Sequence, residues 1–343
     1  MIYFDVTKAG DSGHHSGLMR VSRRLREELG AVTPVVWADG GWRGAAGGAG
    51  VEPGADDWLL TAELFAEAER PGLTAWAGRR TCRWAAIFHD AIPLRWPQIT
   101  WPQSVARHPG YLKLLAQCDR VWAVSAASRE ELTGYWQWLG LERTPTVDVL
   151  ALGADFDGGP RRPANPEPAP LLLCVGILEP RKNQDFLLDV AEALWREGRQ
   201  FELHLVGRVN PHFGRPVVAR VGRLRREFSG LHHHAAADDA TLAGWFARAW
   251  ATVFPTKAEG CGLPLIESLW RGVPCVASDL PVLRENAGGG CVLVTPEDRQ
   301  AWQAALARIL TDDARRRELA EQAATRELPT WAGAAVALRA VLG

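Results

Sequence analysis

The chain has 343 residues, 47% of them apolar and 23% charged, with a formal charge of −1. That length exceeds what one hydrophobic core usually organises, so two domains are expected in an otherwise ordinary globular composition. The absence of a basic excess argues against nucleic acid as the main partner. No apolar run reaches the length of a membrane span, and residues 1–10 lack the pattern of a signal peptide.

The six cysteines (Cys82, Cys118, Cys174, Cys261, Cys275, Cys291) are scattered and mostly sit inside apolar runs. They read as reduced core residues of a cytoplasmic protein, not as a disulfide frame or a zinc site.

In chain order, residues 1–6 form a short apolar run with strand character. Residues 17–29 have helical spacing, with Arg20, Arg23, Arg24 and Arg26 on the outer face. Those arginines are either a solvated face or a contact for anionic lipid. Strands are expected at 33–38, 57–61, 84–89 and 120–125, and helices at 102–117 and 127–139. Residues 158–170, GGPRRPANPEPAP, are dense in proline and glycine and predict a stiff, extended linker. The alternation restarts with strands at 171–176, 201–207, 251–255, 274–277 and 290–295. Helices are expected at 183–197, 215–228, 239–249, 263–271, 299–310 and 312–326. Strands alternating with helices predict two doubly wound, Rossmann-like domains, with a ligand at the carboxyl ends of the strands.

Two loops carry the chemistry. PTKAEGCGLPLIESLW (255–270) places Glu259 and Glu267 eight positions apart around a glycine turn that opens a helix. Backbone N–H groups and the helix dipole favour an anion there, and glycine permits its close approach. Carboxylates repel phosphate, so the glutamates suit hydroxyl groups flanking a diphosphate, the layout of a nucleotide sugar. The plain alternative is a pair of solvated acids at a helix start. CVGILEPRKNQDFLLDVAEAL (174–194) ends a buried strand at Gly176 and then presents Arg181 and Lys182. A planar fork and a point charge can oppose the negative charge of a departing diphosphate. The alternative is a solvated basic pair, although the helix dipole disfavours cations at that end.

These residues resemble the retaining, nucleotide-sugar-dependent glycosyltransferases of family 4. GILEPRKN (176–183) is similar to the diphosphate clamp, and EGCGLPLIE (259–267) to the E-x7-E motif. RGVPCVASDLPVLREN (271–286), FHDAIPLRWP (88–97) and AVSAASREEL (123–132) resemble further segments of that family. DVT (5–7) with SGLMRV (16–21) is similar to a mannosyl- or rhamnosyltransferase-like subgroup, and LPTWAGAAVALRAVL (328–342) to its closing helix.

The resemblance implies a GT-B fold: two Rossmann-like domains facing each other across a cleft, with a C-terminal helix crossing back. The acceptor-binding domain would be 1–160, the donor-binding domain 161–325 and the returning helix 326–343. Arg181 and Lys182 would bind the donor diphosphate, Glu267 the ribose and Glu259 the transferred sugar. The backbone around Gly176, Gly260, Cys261, Gly262 and Leu263 would also contact the donor, with Gly17 near donor phosphate or acceptor. His89 would sit beside the transferred sugar. Asp90, Trp96 and Trp101 are acceptor candidates, because sugars stack on aromatic faces, although core packing is the stronger reading for most tryptophans here.

The implied reaction moves a hexose or deoxyhexose, GDP-mannose being the favoured donor, with retention. It would use no cofactor beyond the nucleotide sugar and no metal. The acceptor would be a glycan, a lipid-linked sugar or a small molecule, with peripheral association at the inner face of the membrane. A non-catalytic nucleotide-sugar-binding scaffold, an epimerase and a phosphorylase are the alternatives. Cys261 departs from the family's usual aromatic residue, and His14 and His15 have no assigned role. The run His232–His234 alternates between strand faces, so its three rings cannot share one ion.

Overall fold

Short runs of β-branched and apolar residues form the strands of two separate sheets, described by a computed structural model for residues 1–9, 17–156, 161 and 169–343. His14, His15 and most of the proline-rich linker lie outside these described residues. Met1–Gly153 together with Pro329–Gly343 makes one compact unit, and Ala154–Leu328 makes the other.

The first unit contains β1 (Ile2–Asp5), β2 (Thr33–Ala38), β3 (Gly41–Gly44), β4 (Trp58–Thr61), β5 (Arg83–Phe88), β6 (Arg120–Ala123) and β7 (Thr146–Val149). They lie in the order β3-β2-β1-β4-β5-β6-β7. Every neighbour pairs in parallel except β3, which runs antiparallel to β2. Asp39 and Gly40 both take positive φ, 51° and 76°, which closes that hairpin tightly. Beneath the sheet, Trp37, Trp42, Trp76 and Trp84 meet edge to face, with centroid separations of 5.2 to 6.0 Å. Most of the tryptophan surplus in this half is therefore core.

The last helix, Trp331–Leu342, packs on the helix Gly17–Leu29. There Arg339 donates to the carbonyls of Glu28 and Leu29 at 2.5 and 2.7 Å, satisfying two acceptors at a helix carboxyl end.

In the second unit, β8 (Leu171–Val175), β9 (Glu202–Val206), β10 (Leu231–His234), β11 (Ala251–Phe254), β12 (Cys275–Ser278) and β13 (Cys291–Val294) form an all-parallel sheet ordered β10-β9-β8-β11-β12-β13. Such a sheet is covered on both faces, so its strands read as nearly continuous apolar runs. The helix Gln184–Arg196 buries Leu187, Leu188, Val190, Ala191 and Leu194 along one stripe. Arg161 donates to the carbonyls of Leu269, Trp270, Ala323 and Arg326 at the carboxyl ends of two helices. It thereby anchors the linker sequence to this unit. Among the described residues, no helix is long and apolar enough to cross a membrane.

Candidate functional site

In the second sheet, chain order reverses between β8 and β11, which lie side by side. The loops leaving their carboxyl ends diverge at such a switch point and leave a crevice. Those two loops carry both motifs singled out in the sequence.

After β8, the chain passes Gly176 and Leu178 and makes a single 3-10 turn at Pro180–Lys182. Asn183, held at φ 59°, then turns it into the helix Gln184–Arg196. The loop is tied down from within: Gln184 Nε2 donates to the Ile177 carbonyl at 2.9 Å, and its Oε1 accepts from Glu179 N at 3.3 Å. Glu179 in turn accepts from Arg181 at 2.8 Å and from Asn210 Nδ2 at 2.9 Å. Gly176 and Gly207 allow the ends of β8 and β9 to approach closely. A Cβ on Gly207 would stand 2.1 Å from the Gly176 carbonyl oxygen.

After β11, the loop returns to the first. Lys257 N donates to the Arg181 carbonyl at 2.8 Å, and Arg181 Nη1 donates to the Ala258 carbonyl at 3.1 Å. Glu259 completes the junction. Its Oε1 lies 2.6 Å from Lys182 Nζ, 3.2 Å from Arg181 Nη1 and 2.6 Å from the Thr256 hydroxyl. Lys182 also rests over the Phe254 ring, 4.9 Å from its centroid.

Electrostatics follow from this packing. Burial pushes the Glu259 pKa up, but Lys182 and Arg181 outweigh it and hold the carboxyl below its ordinary value. Burial pulls Lys182 below an ordinary lysine, with Glu259 opposing that pull and Arg181 reinforcing it. The result is an ionised cluster with two cations on one buried carboxylate.

Gly262 takes φ 84° and starts the helix Leu263–Trp270. A Cβ there would meet Leu283 Cδ2 at 2.4 Å. Pro264 has no N–H, and Leu265 N turns back to the Gly262 carbonyl at 3.0 Å, which leaves the amides of Gly262 and Leu263 at the head of the turn. Gly260 precedes them, half-buried. Cys261 is buried, its thiol pushed up to about 12 chiefly by burial, and its carbonyl accepts from Asn286 Nδ2 at 2.8 Å. Glu267, one turn into the helix, is 2% exposed.

The remaining sequence candidates belong to the first unit. His89 follows β5 and is buried, with Nε2 2.8 Å from the Ala62 carbonyl. Burial lowers its pKa, keeping the ring neutral. Asp90 accepts from Ile92 N at 3.0 Å. Trp96 is half-buried, Trp101 is 40% exposed, and Gly17 opens its helix at the surface.

Sequence reasoning missed a second polar cluster. The first sheet reverses between β1 and β4, and Asp5, Glu63 and Arg70 meet there, each at most 1% exposed. Arg70 bridges Asp5 at 2.5 Å and Glu63 at 3.1 Å. Glu63 also accepts the amides of Lys8 and Ala9 at 2.8 and 2.7 Å. Burial, then the neighbouring Asp5, raise the Glu63 pKa to about 7. An aspartate closing β1 and an acid just beyond β4 were the available signals; their meeting required the strand order.

Residues 169–312 match the family model described as "Glycosyl transferases group 1". Over 248 residues the chain is 32% identical to the serotype-specific mannosyltransferase WbdA of Escherichia coli, an alignment covering 66% of this chain and 29% of that one. It is 30% identical over 244 residues to O-antigen chain mannosyltransferase B of Escherichia coli, covering 67% and 62% of the two chains. The chain thus spans less than a third of WbdA and under two thirds of the second relative. Among solved structures, sucrose-phosphate synthase from Thermosynechococcus elongatus superposes with a TM-score of 0.71 at 19% identity, covering 99% of this chain and 97% of that one. That likeness is one of fold, the GT-B arrangement of two Rossmann-type sheets.

Proposed function

We propose that this chain, which belongs to the group 1 glycosyltransferases and has the GT-B fold, transfers a mannose-type hexose from a nucleotide diphosphate sugar with retention of configuration. The observation that carries the reading is the meeting of Arg181, Lys182 and Glu259 beside the Gly262 turn, at the switch point of the second sheet. A diphosphate needs cations and inward-facing amides, whereas its sugars need acceptors; these two loops hold both.

In this mechanism the bond between the anomeric carbon and the leaving phosphate oxygen breaks while the acceptor hydroxyl attacks from the same face. The acceptor proton passes to that departing oxygen. Arg181 and Lys182 oppose the charge growing on the diphosphate, and the amides of Gly262 and Leu263 bind it from the other loop. Glu259 receives hydroxyls of the transferred sugar, and Glu267 those of the ribose. Neither has to act as a general base, unlike the paired carboxylates of glycosidases. His89, Asp90, Trp96 and Trp101 serve the sugar and acceptor side. GDP-mannose is the favoured donor and a growing glycan the favoured acceptor, in keeping with the names of the mannosyltransferase relatives.

The test is a thermal-shift panel of GDP, UDP, dTDP and ADP, followed by incubation with the matching sugar and NMR of the product anomer. One base should raise the melting temperature clearly above the others, and the double variant R181A/K182A should lose that rise. A response that survives the double variant overturns the clamp; an inverted anomer overturns retention alone.

A further inference from the structure

β10 is an edge strand, and its parallel register sets His232 directly beside His204 of β9. Two residues before His204 on the same strand, Glu202 projects to the same face. The strand alternation that separates His233 from its neighbours therefore builds a cluster across strands that the run His232–His234 alone does not contain. Among the described residues, Glu202, His204 and His232 each offer a ligand atom, all within 4.8 Å of one another.

We propose that Glu202, His204 and His232 form a binding site for a divalent transition metal of the zinc class. Two imidazoles and one carboxylate form an N/O donor set that such ions accept, with water completing a tetrahedron. Donor atoms around such an ion stand roughly 3.4 Å apart, which side-chain rotation at the sheet edge can reach.

The surroundings support the assignment. His204 Nδ1 lies 3.2 Å from His234 Nε2, and His204 Nε2 lies 2.8 Å from Glu202 Oε2. Without metal, His234 donates to His204, which donates to Glu202. With metal on His204 Nε2, His204 donates from Nδ1 to His234 instead, so no buried ring nitrogen loses its partner. This outer hydrogen bond fixes the ring and its tautomer, as partners of metal-bound histidines generally do. Trp245 covers the His204 and His234 rings at 4.3 and 4.6 Å, while the Glu202 side chain is 42% exposed and gives an ion a way in. The ion would staple the edge strand to the sheet and take no part in sugar transfer.

Titration of the tag-free protein with Co2+, Ni2+ and Zn2+, read by cobalt d–d absorption and by thermal shift, tests this. One equivalent should bind, with a tetrahedral cobalt spectrum lacking a thiolate charge-transfer band, and should raise the melting temperature. His232→Ala and Glu202→Gln should each weaken binding at least tenfold. His233→Ala should not, because His233 Nε2 is directed at the Gly207 carbonyl at 3.0 Å. Circular dichroism establishes that each variant is folded. Binding unchanged by His232→Ala, a thiolate band, or no binding at submillimolar metal would each sink the proposal.

Discussion

Lys182 Nζ and Glu259 Oε1 stand 2.6 Å apart, joining two loops that are 77 positions apart in sequence. The proposed diphosphate cation and the proposed sugar acceptor are thus partners of each other before any ligand arrives. Their pairing holds Arg181 and Lys182 side by side against mutual repulsion.

Removing that carboxylate leaves two cations short of a partner at a site where Lys182 is already desolvated. Glu259→Ala should cost about 3–5 kcal/mol of stability, the range for breaking a buried pair from one side. Glu259→Gln, which keeps the volume and a hydrogen-bond acceptor, should cost less. Urea denaturation measures both, and equal, negligible losses would show that the pair contributes nothing.

Lys182→Ala should lower turnover on the order of 10²–10³-fold, as loss of one donor to a developing charge does. Arg181→Lys should also reduce turnover, because a point charge cannot reproduce the planar fork that reaches Glu179, Ala258 and Glu259 together. Steady-state kinetics with the donor found in the nucleotide panel decides this. An unchanged kcat in Lys182→Ala would remove it from the mechanism.

Gly262→Ala should destabilise the second unit and abolish nucleotide binding, because φ 84° disfavours a side chain and the new methyl would overlap Leu283. Pairing it with Leu283→Ala should recover part of the stability by opening space, but not the backbone preference. Thermal melts of the single and double variants separate the two contributions.

Glu63 gives a pH dependence of defined sign. Its folded pKa is raised from 4.5 to about 7, so the native state holds a proton that the unfolded chain has released. The stabilisation is fully present below pH 4.5 and is lost as pH rises through 7, by roughly 3 kcal/mol across the window. Glu63→Gln should flatten that slope while leaving the amides of Lys8 and Ala9 an acceptor. Denaturant midpoints between pH 4.5 and 8 check it; a midpoint that rises with pH because of Glu63 contradicts the assignment.

The second unit was legible in sequence because its strands are continuous apolar runs and its helices carry wide apolar stripes, as in Leu187–Leu194. The two loops were legible because glycine, arginine and glutamate each had a physical task there. Short edge elements were not. β3 is Gly-Trp-Arg-Gly and has strand form through its pairing with neighbours, chiefly β2; the Asp39-Gly40 pair was the overlooked hairpin signal. β7 is exposed or half-buried along its length, so no apolar pattern marked it. The helices Leu73–Arg79, Ile92–Arg95 and Pro281–Asn286 are too short for periodicity to show. Spacing could not reveal the Glu259 ion pairs or the triad of Asp5, Glu63 and Arg70, because both depend on which strands become neighbours.

Because Pro329–Gly343 belongs with Met1–Gly153, the second unit is an insertion within the first. Residues 154–328 can be excised as one continuous polypeptide, whereas a chain cut at Gly153 lacks Trp331–Leu342 and leaves the helix Gly17–Leu29 without the helix that packs on it. Ribosomal synthesis meets the same asymmetry: residues 1–153 wait for Trp331–Leu342, which is made only after the whole of their guest.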